Sequence, residues 1–430
     1  MTTKNPNFSE NMLSVEEARE NILNMMFVLN TEYLPISDCL GQVLSEDISS
    51  IIHVPPWNNS AMDGFAVIAN DTKRASENTP VKLTVIDSVY AGDMPSSKVS
   101  PNTAIRIMTG APIPDGANAV VPFEQTNEIQ QKANKQHLET IDILKPVKEN
   151  DYIRFRGEDI KSGDNIFKKG TILRPSEIGV LATLGFKDIP VIRKPKIAII
   201  STGNELTDLG EPIQLGKIYD ANTYSIASSV EKYGGTPIII GIAKDNEESL
   251  NDLLDKALDY DILVTSAGVS KGDYDIVKNI LSQRGNIEFW SVNMKPAKPI
   301  AFGWINKSKN EKLPLLGLPG NPVSAMVAFE QFVRPSILKL KGYTKLDKPS
   351  IHAILKNTIK NEDGRRMYIR VLVKKEGVDY YAEATGNQGS HVLTSMAKAN
   401  GLAVCPENVL EIKSGQKIEV QMIDWHVDDL

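Results

Sequence analysis

The 430 residues include only two cysteines, Cys39 and Cys405, and they stand far apart, so neither a disulfide framework nor a cysteine zinc site is available. Histidine is scarce too, and none of the five forms an H-x-x-x-H or H-E-x-x-H pair, which removes the helical zinc sites. No apolar run approaches the roughly 18 residues of a membrane span. Met1 to Glu10 is polar and lacks a signal-peptide core, so a cytoplasmic location is expected. The chain carries no G-x-x-x-x-G-K-[ST] and no G-x-G-x-x-G, which argues against a P-loop nucleotidase and against hydride transfer. A net charge of −6 argues against general nucleic-acid binding but leaves room for a local cationic pocket.

What is present begins with length. Single cores stop growing at about 250 to 300 residues, so two to four domains are expected. The organising stretch is DILVTSAGVSKGDYDIVK, residues 261–278. Ile262 to Val264 form the short apolar run of a doubly covered parallel strand. Ser266, Gly268, Ser270 and Gly272 then let the backbone turn and present N–H groups outward. Asp273 and Asp275 stand where a helix opens and can cap it, bind a cation, or both. Two other stretches repeat this layout. In KIAIISTGNEL the strand runs into Ser201, Thr202, Gly203, Asn204 and Glu205. In PLLGLPGNPVSA it runs into Pro319, Gly320, Asn321 and Pro322, with Asn321 as N-cap and Pro322 at the first helical position. Ligands of open α/β sheets bind beyond the carboxyl ends of the strands, so three such loops predict one shared cleft.

Elsewhere, Ser14 to Glu17 fits a capping box, and the apolar spacing from Val15 to Leu29 predicts a helix of about four turns. PPWNNSAMDGFAV, with Trp57 and Asp63, is a dense turn segment. Runs between Pro80 and Lys148 predict a small separate β-domain, with QQKANKQ as a polar hairpin tip or loop. Arg154, Arg156, Glu158 and Asp159 read as an ion-pair network or an anion site, with the network favoured. Helices are expected near Asn222 to Tyr233 and Glu247 to Leu258, a hairpin at Ile300 to Ile305 and Leu313 to Leu318, and a β-barrel or sandwich from Tyr343 on. The domains drawn are 12–190, with an inserted β-domain at about 50–150, then 191–340 and 343–427. The central one is α/β/α with a mostly parallel sheet.

The predicted cleft gathers Glu205, Asp245, Asp273 and Asp275 with Lys271, Lys295 and Lys298. Hard carboxylate oxygens beside lysines at glycine-rich loops suit a phosphate ester with Mg²⁺. Each group also has a structural reading: an acid at a helix start as a cap, and KPAKP as a solvated connection.

SAMDGFAV, RIMTGAPIP, IRFRGEDI, IAIISTGNEL, GVSKGDYD, MKPAKPIAFG, GLPGNPVSA and GNQGSHVLTSMAKANG together resemble the molybdopterin molybdenumtransferase family, which includes bacterial MoeA and the gephyrin E domain. The resemblance runs in order over nearly the whole chain. It implies insertion of molybdate into adenylylated molybdopterin with Mg²⁺-assisted release of AMP, by a homodimer with clefts between subunits, fed by a molybdopterin adenylyltransferase. On that likeness Asp63, Thr109, Asp159, Glu205, Asp245, Asp275, Lys295 and Lys298 match functional positions. Pro319 and Pro322 match molybdate-proximal prolines, and Arg370 and Ser390 match C-terminal positions that reach the cleft. Asp245, Asp273 and Asp275 are the expected metal ligands. The alternatives are a tungstate-inserting or adenylylating relative and a non-catalytic dimeric scaffold. Three residues depart from the pattern: Asn204 replaces an aspartate, and Ala267 and Ala297 replace glycines whose loops then need φ < 0 or tolerate strain.

Overall fold

The computed structural model describes residues 12–133, 139–266, 280–281, 283–308 and 311–424. Its contacts divide them into two units, one of Leu34–Leu40 with Glu46–Ile189, the other of the remaining segments.

In the second unit, the alternation of strands and amphipathic helices builds a six-stranded sheet. Its order is Thr236–Ala243, Lys196–Thr202, Ile262–Ser266, Lys312–Leu318, Pro299–Asn306, Gly285–Ser291. The first four strands are parallel, and the last two join antiparallel, the expected hairpin among them. The strands are apolar at consecutive positions because both faces are covered. Ile197, Ile199, Val264 and Leu316 pack on one face with Ile226 and Val230 of the helix Ala221–Lys232. Ala198, Ile200, Leu263 and Leu315 pack on the other with Leu250 and Leu254 of the helix Glu247–Ala257. Both helices fall where the spacing predicts them.

The helix opened by Pro322 is buried all round and changes pitch on the way, running Pro322–Ala328, a π-helical Phe329–Val333, then Arg334–Leu340. Asn321 occupies its N-cap position without a side-chain capping bond, which corrects the capping expectation and leaves its amide exposed. The capping box at Ser14 forms through Glu17, but the helix is only Val15–Asn24, roughly three turns rather than four. Met25 caps it, and Met26 packs in the core beyond the last turn.

Past the buried helix, five strands close into a barrel. Arg366–Glu376 pairs with Asp379–Ala384 and Gly401–Cys405, Ser350–Leu355 with Asp379–Ala384 and Lys417–Met422, and Gly401–Cys405 with Lys417–Met422. Met294–Lys295 adds alongside its longest strand.

The other unit holds a five-stranded sheet, ordered Ala119–Pro122, Gly64–Val67, Thr103–Ile107, Val81–Val89, Thr140–Ile143. The first part of QQKANKQ is not a loop, because helix Glu128–Ala133 reaches into it; the rest lies outside the described residues.

Lys341, at the end of the buried helix, is itself buried, and desolvation followed by repulsion from Lys194 pulls its ammonium down to about 8. The native state therefore binds fewer protons than the unfolded chain between pH 8 and the ordinary lysine range, and stability rises with pH through that window. Below pH 8 the full cost of charging is present. Lys341→Met is expected to stabilise the protein at pH 7 by on the order of 1–3 kcal/mol. Denaturant titrations at pH 7 and 10 check this, since the gain must shrink at the higher pH.

Candidate active site

Strand register decides which loops meet. Ser201 lies opposite Ser266, and Ser266 opposite Leu318, so three carboxyl ends stand side by side. From Lys196–Thr202 the chain crosses to Thr236–Ala243 on one side, then back to Ile262–Ser266 on the other. Such a reversal opens a crevice at the strand ends. A cavity of about 590 Å³ lies here, lined by Thr202, Glu205, Asn222, Ser266, Asn321 and Pro322 among others. Gly320 and His391 also reach it. Gly268, Ser270, Lys271, Gly272, Asp273 and Asp275, with Ala267, fall outside the described residues.

Ser201 does not line this cavity. It is buried, and its hydroxyl pairs with that of Thr223 at 2.7 Å, which in turn donates to Asp220 at 2.6 Å. Asp220 also accepts the Thr223 N–H at 3.1 Å and so caps the helix that starts at Ala221. Gly203 has φ +145, and a Cβ there would meet the Glu205 carboxylate at 2.4 Å. Any other residue would push that carboxylate aside and strain the backbone at this φ.

The replacement at Asn204 removes a charge without removing a contact. Its backbone N–H donates to Asp245 Oδ2 at 3.0 Å, and its side-chain oxygen accepts the Asp245 N–H at 3.2 Å. Asp245 Oδ1 has no hydrogen bond among the described residues and offers one hard oxygen of the kind Mg²⁺ takes.

Sequence reasoning passed over Asn222. Its amide donates to Ser266 Oγ and to Gly320 O, both at 2.7 Å, which ties together the ends of two strands. An amide in the first turn of a helix already capped by Asp220 was the available signal.

A second cavity, of about 490 Å³, adjoins the first across Pro322 to Ser324, where the Val323 N–H donates to Ser390 O at 3.1 Å. Lys295, Ser324, Arg365, Arg370, Gln388 and Ser390 line it. Arg370 is 1% exposed, and its guanidinium donates to Ser395 Oγ at 3.1 Å and to the carbonyls of Asn387 and Gly389 at 3.4 and 3.1 Å. No carboxylate pairs with it among the described residues, and burial pulls it down to about 10, still charged at neutral pH. Asp363 answers Lys295 at 3.3 Å and Arg365 at 2.6 Å, so two of the three cations share one acid and Arg370 has none among the described residues. Ala297, behind Lys295, stands at φ +74, so the strained alternative is the one realised, at a cost of about 1–2 kcal/mol. Lys298 is exposed and Pro319 buried; neither lines either of these two cavities.

In the other unit, Asp63 Oδ1 accepts the N–H and the hydroxyl of Thr109 at 2.7 and 2.8 Å. Asp159 is exposed, and its N–H donates to Val54 O at 3.0 Å. The favoured network of Arg154, Arg156, Glu158 and Asp159 does not form among the described residues. Glu158 instead accepts the Phe155 N–H at 2.8 Å, because a tight turn left that donor without a backbone partner.

Comparison with known proteins agrees along the chain. Residues 13–185 match the MoeA N-terminal region (domain I and II), 198–339 a probable molybdopterin binding domain, and 352–423 the MoeA C-terminal region (domain IV). A molybdopterin molybdenumtransferase of Haemophilus influenzae is 35% identical over 415 residues, covering 95% of this chain and 98% of that protein. Molybdopterin molybdenumtransferase 2 of Mycobacterium tuberculosis is 34% identical over 416 residues, covering 95% and 99%. A crystal structure of a molybdopterin biosynthesis moeA protein from Pyrococcus horikoshii superposes with a TM-score of 0.80 at 33% identity, covering 97% of this chain and all of that one.

Proposed function

Because the chain belongs to the molybdopterin molybdenumtransferase family, a family of transferases of molybdenum-cofactor biosynthesis, we propose that it inserts molybdate into adenylylated molybdopterin with Mg²⁺-dependent release of AMP. The supporting observation is the pair of adjoining cavities, one polar and at the strand ends, the other cationic and built on a buried, acid-free arginine. A dianionic tetrahedral oxyanion suits the second: Arg370 and Lys295 supply charge, and Ser324 and Ser390 supply hydroxyls. The pterin dithiolene and its phosphate suit the first, where Thr202, Ser266 and Asn321 offer polar groups.

Asp245, with Asp273 and Asp275, would hold Mg²⁺, and the cation would neutralise charge on the phosphoanhydride. Among the described residues no three metal-ligating side chains gather, so from that part of the site Asp245 would contribute its Oδ1. Glu205 on the cavity rim would relay a proton from a dithiolene thiol to the molybdate oxygen, so that both thiol protons leave with that oxygen as water while two Mo–S bonds form. Asp63 and Thr109 complete the site from a second copy of the chain, and an adenylyltransferase delivers the substrate. No helix among the described residues is long and apolar enough to cross a membrane, in keeping with a cytoplasmic enzyme.

The test is AMP release from adenylylated molybdopterin by the purified protein with Mg²⁺, with and without molybdate. Molybdate-dependent release supports the reading. Substrate that binds without releasing AMP would overturn it in favour of a scaffold, and release only with tungstate would change the cargo.

A further inference from the structure

The motifs around Trp57 and Arg156 are not absorbed by the function above, and the structure brings them into one cavity of about 580 Å³. It lies wholly within the unit that carries Asp63 and Thr109, and Trp57, Asn58, Ser96, Lys98, Asp115 and Arg156 form its walls. These walls are stitched to one another by short bonds. Asn58 Oδ1 accepts the Arg156 N–H at 2.8 Å, and Asn58 O accepts the Ile113 N–H at 3.0 Å. The Val99 N–H donates to Asp115 O at 2.8 Å, which sets Lys98 beside Asp115. Gly116 makes this approach feasible, because at φ +85 a Cβ would meet Val99 O at 2.2 Å. Ser96 Oγ donates to Asp87 Oδ2 at 2.9 Å and anchors the fourth wall to the strand Val81–Val89.

The chemistry of the walls is uneven in an informative way. Trp57 is 48% exposed, an uncommon state for an indole in a pinned segment, and Met94, which lines the same cavity, is 75% exposed. Arg156 and Lys98 form no ion pair among the described residues, and the network expected for Arg156 is absent. An exposed indole that shares its cavity with two cations, neither of them ion-paired among the described residues, favours a planar ring joined to an anion: the ring stacks on the indole while the cations take the charge. Asp115, the one carboxylate in the lining, is placed to accept hydrogen bonds from a diol between ring and anion.

We propose that this cavity binds a planar heteroaromatic ring carrying a phosphate, of the nucleoside-monophosphate class, with the ring on Trp57, the phosphate on Arg156 and Lys98, and the ribose diol on Asp115. The site stands on its own geometry, independent of the transferase reading.

Titration of the full chain with AMP, followed by tryptophan fluorescence and calorimetry, tests it. AMP is expected to quench the Trp57 emission, identified as the part of the signal missing from Trp57→Leu. Arg156→Gln and Lys98→Gln should each weaken AMP binding at this site at least 10-fold, while Arg370→Met leaves it unchanged. Adenosine should bind more weakly than AMP and lose its binding in Trp57→Leu. Inorganic phosphate should bind weakly and ignore that substitution. GMP binding as well as AMP would assign recognition to ring and phosphate rather than to base edges. An AMP affinity equal in wild type, Arg156→Gln and Lys98→Gln, or Trp57 emission unmoved by saturating AMP, overturns the proposal even in an active enzyme. An inactive protein that still binds AMP here leaves it standing.

Discussion

Arg370→Met is expected to lower molybdate-dependent AMP release by about 10²- to 10⁴-fold at fixed molybdate, through loss of about two charge-assisted hydrogen bonds worth 1.5–3 kcal/mol each. The same substitution should leave stability unchanged or raise it. Arg370 is buried without a carboxylate partner among the described residues, and its proton affinity lies below that of a free arginine, so the native state carries a charging cost that methionine removes. A loss of activity with no loss of stability marks a residue held under strain for binding. Arg370→Lys keeps the charge and loses the planar fork, so it should fall between the two. The decisive split is kinetic. If Arg370 holds the oxyanion, the molybdate KM rises while binding of the adenylylated pterin is unchanged. An unchanged molybdate KM would remove Arg370 from the oxyanion site and return it to a packing role.

The second large effect is expected among residues that line neither cavity. On the buried π-helical turn, Glu330 accepts the Tyr233 hydroxyl at 2.9 Å and pairs with Lys348, which also donates to Tyr233 at 2.9 Å. The carboxylate and the amine are 7% and 5% exposed, and Arg334 lies over the Tyr233 ring. Burial and the adjacent carboxylate push the Tyr233 hydroxyl well above its usual range, so it stays a donor. Arg334 also donates to Leu346 O at 3.0 Å, and Lys348 stands two residues before the first barrel strand, Ser350–Leu355, so the cluster fixes where the barrel leaves the α/β layer. Lys348→Met strands a buried carboxylate and should cost about 3–5 kcal/mol in denaturant unfolding. Adding Glu330→Gln to the same protein should recover most of that loss, since a neutral amide can still accept from Tyr233. A single variant within about 1 kcal/mol of wild type, or a double variant no better than Lys348→Met, would show that the pair is not charged in the native state.

Much of this was readable in the chain. The strands at 197, 262 and 315 declare themselves because a sheet covered on both faces needs consecutive apolar residues, and each apolar run gives way to a polar, glycine-containing stretch. The helices at 222 and 247 follow from one apolar stripe each. The long motifs from SAMDGFAV to GNQGSHVL carry the family. A short-range pattern suffices for these because the forces behind them act between near neighbours.

Tertiary structure decided the rest, for reasons of distance. Ser201 and Thr202 are adjacent in sequence, yet strand alternation buries one against Thr223 and turns the other to the cavity. Asn222 joins Ser266 to Gly320 only because three strands lie in register. The helix after Pro322 shows no stripe because it is buried on every side, and its π-helical turn leaves no mark in composition. The four charges from Arg154 to Asp159 looked like a network, but the backbone turn took Glu158 for itself and left Arg156 lining the same cavity as Trp57, a residue about a hundred positions away. Which polar group is spent inside the fold and which is left for a ligand depends on partners distant in the chain, and only the folded chain brings them within reach.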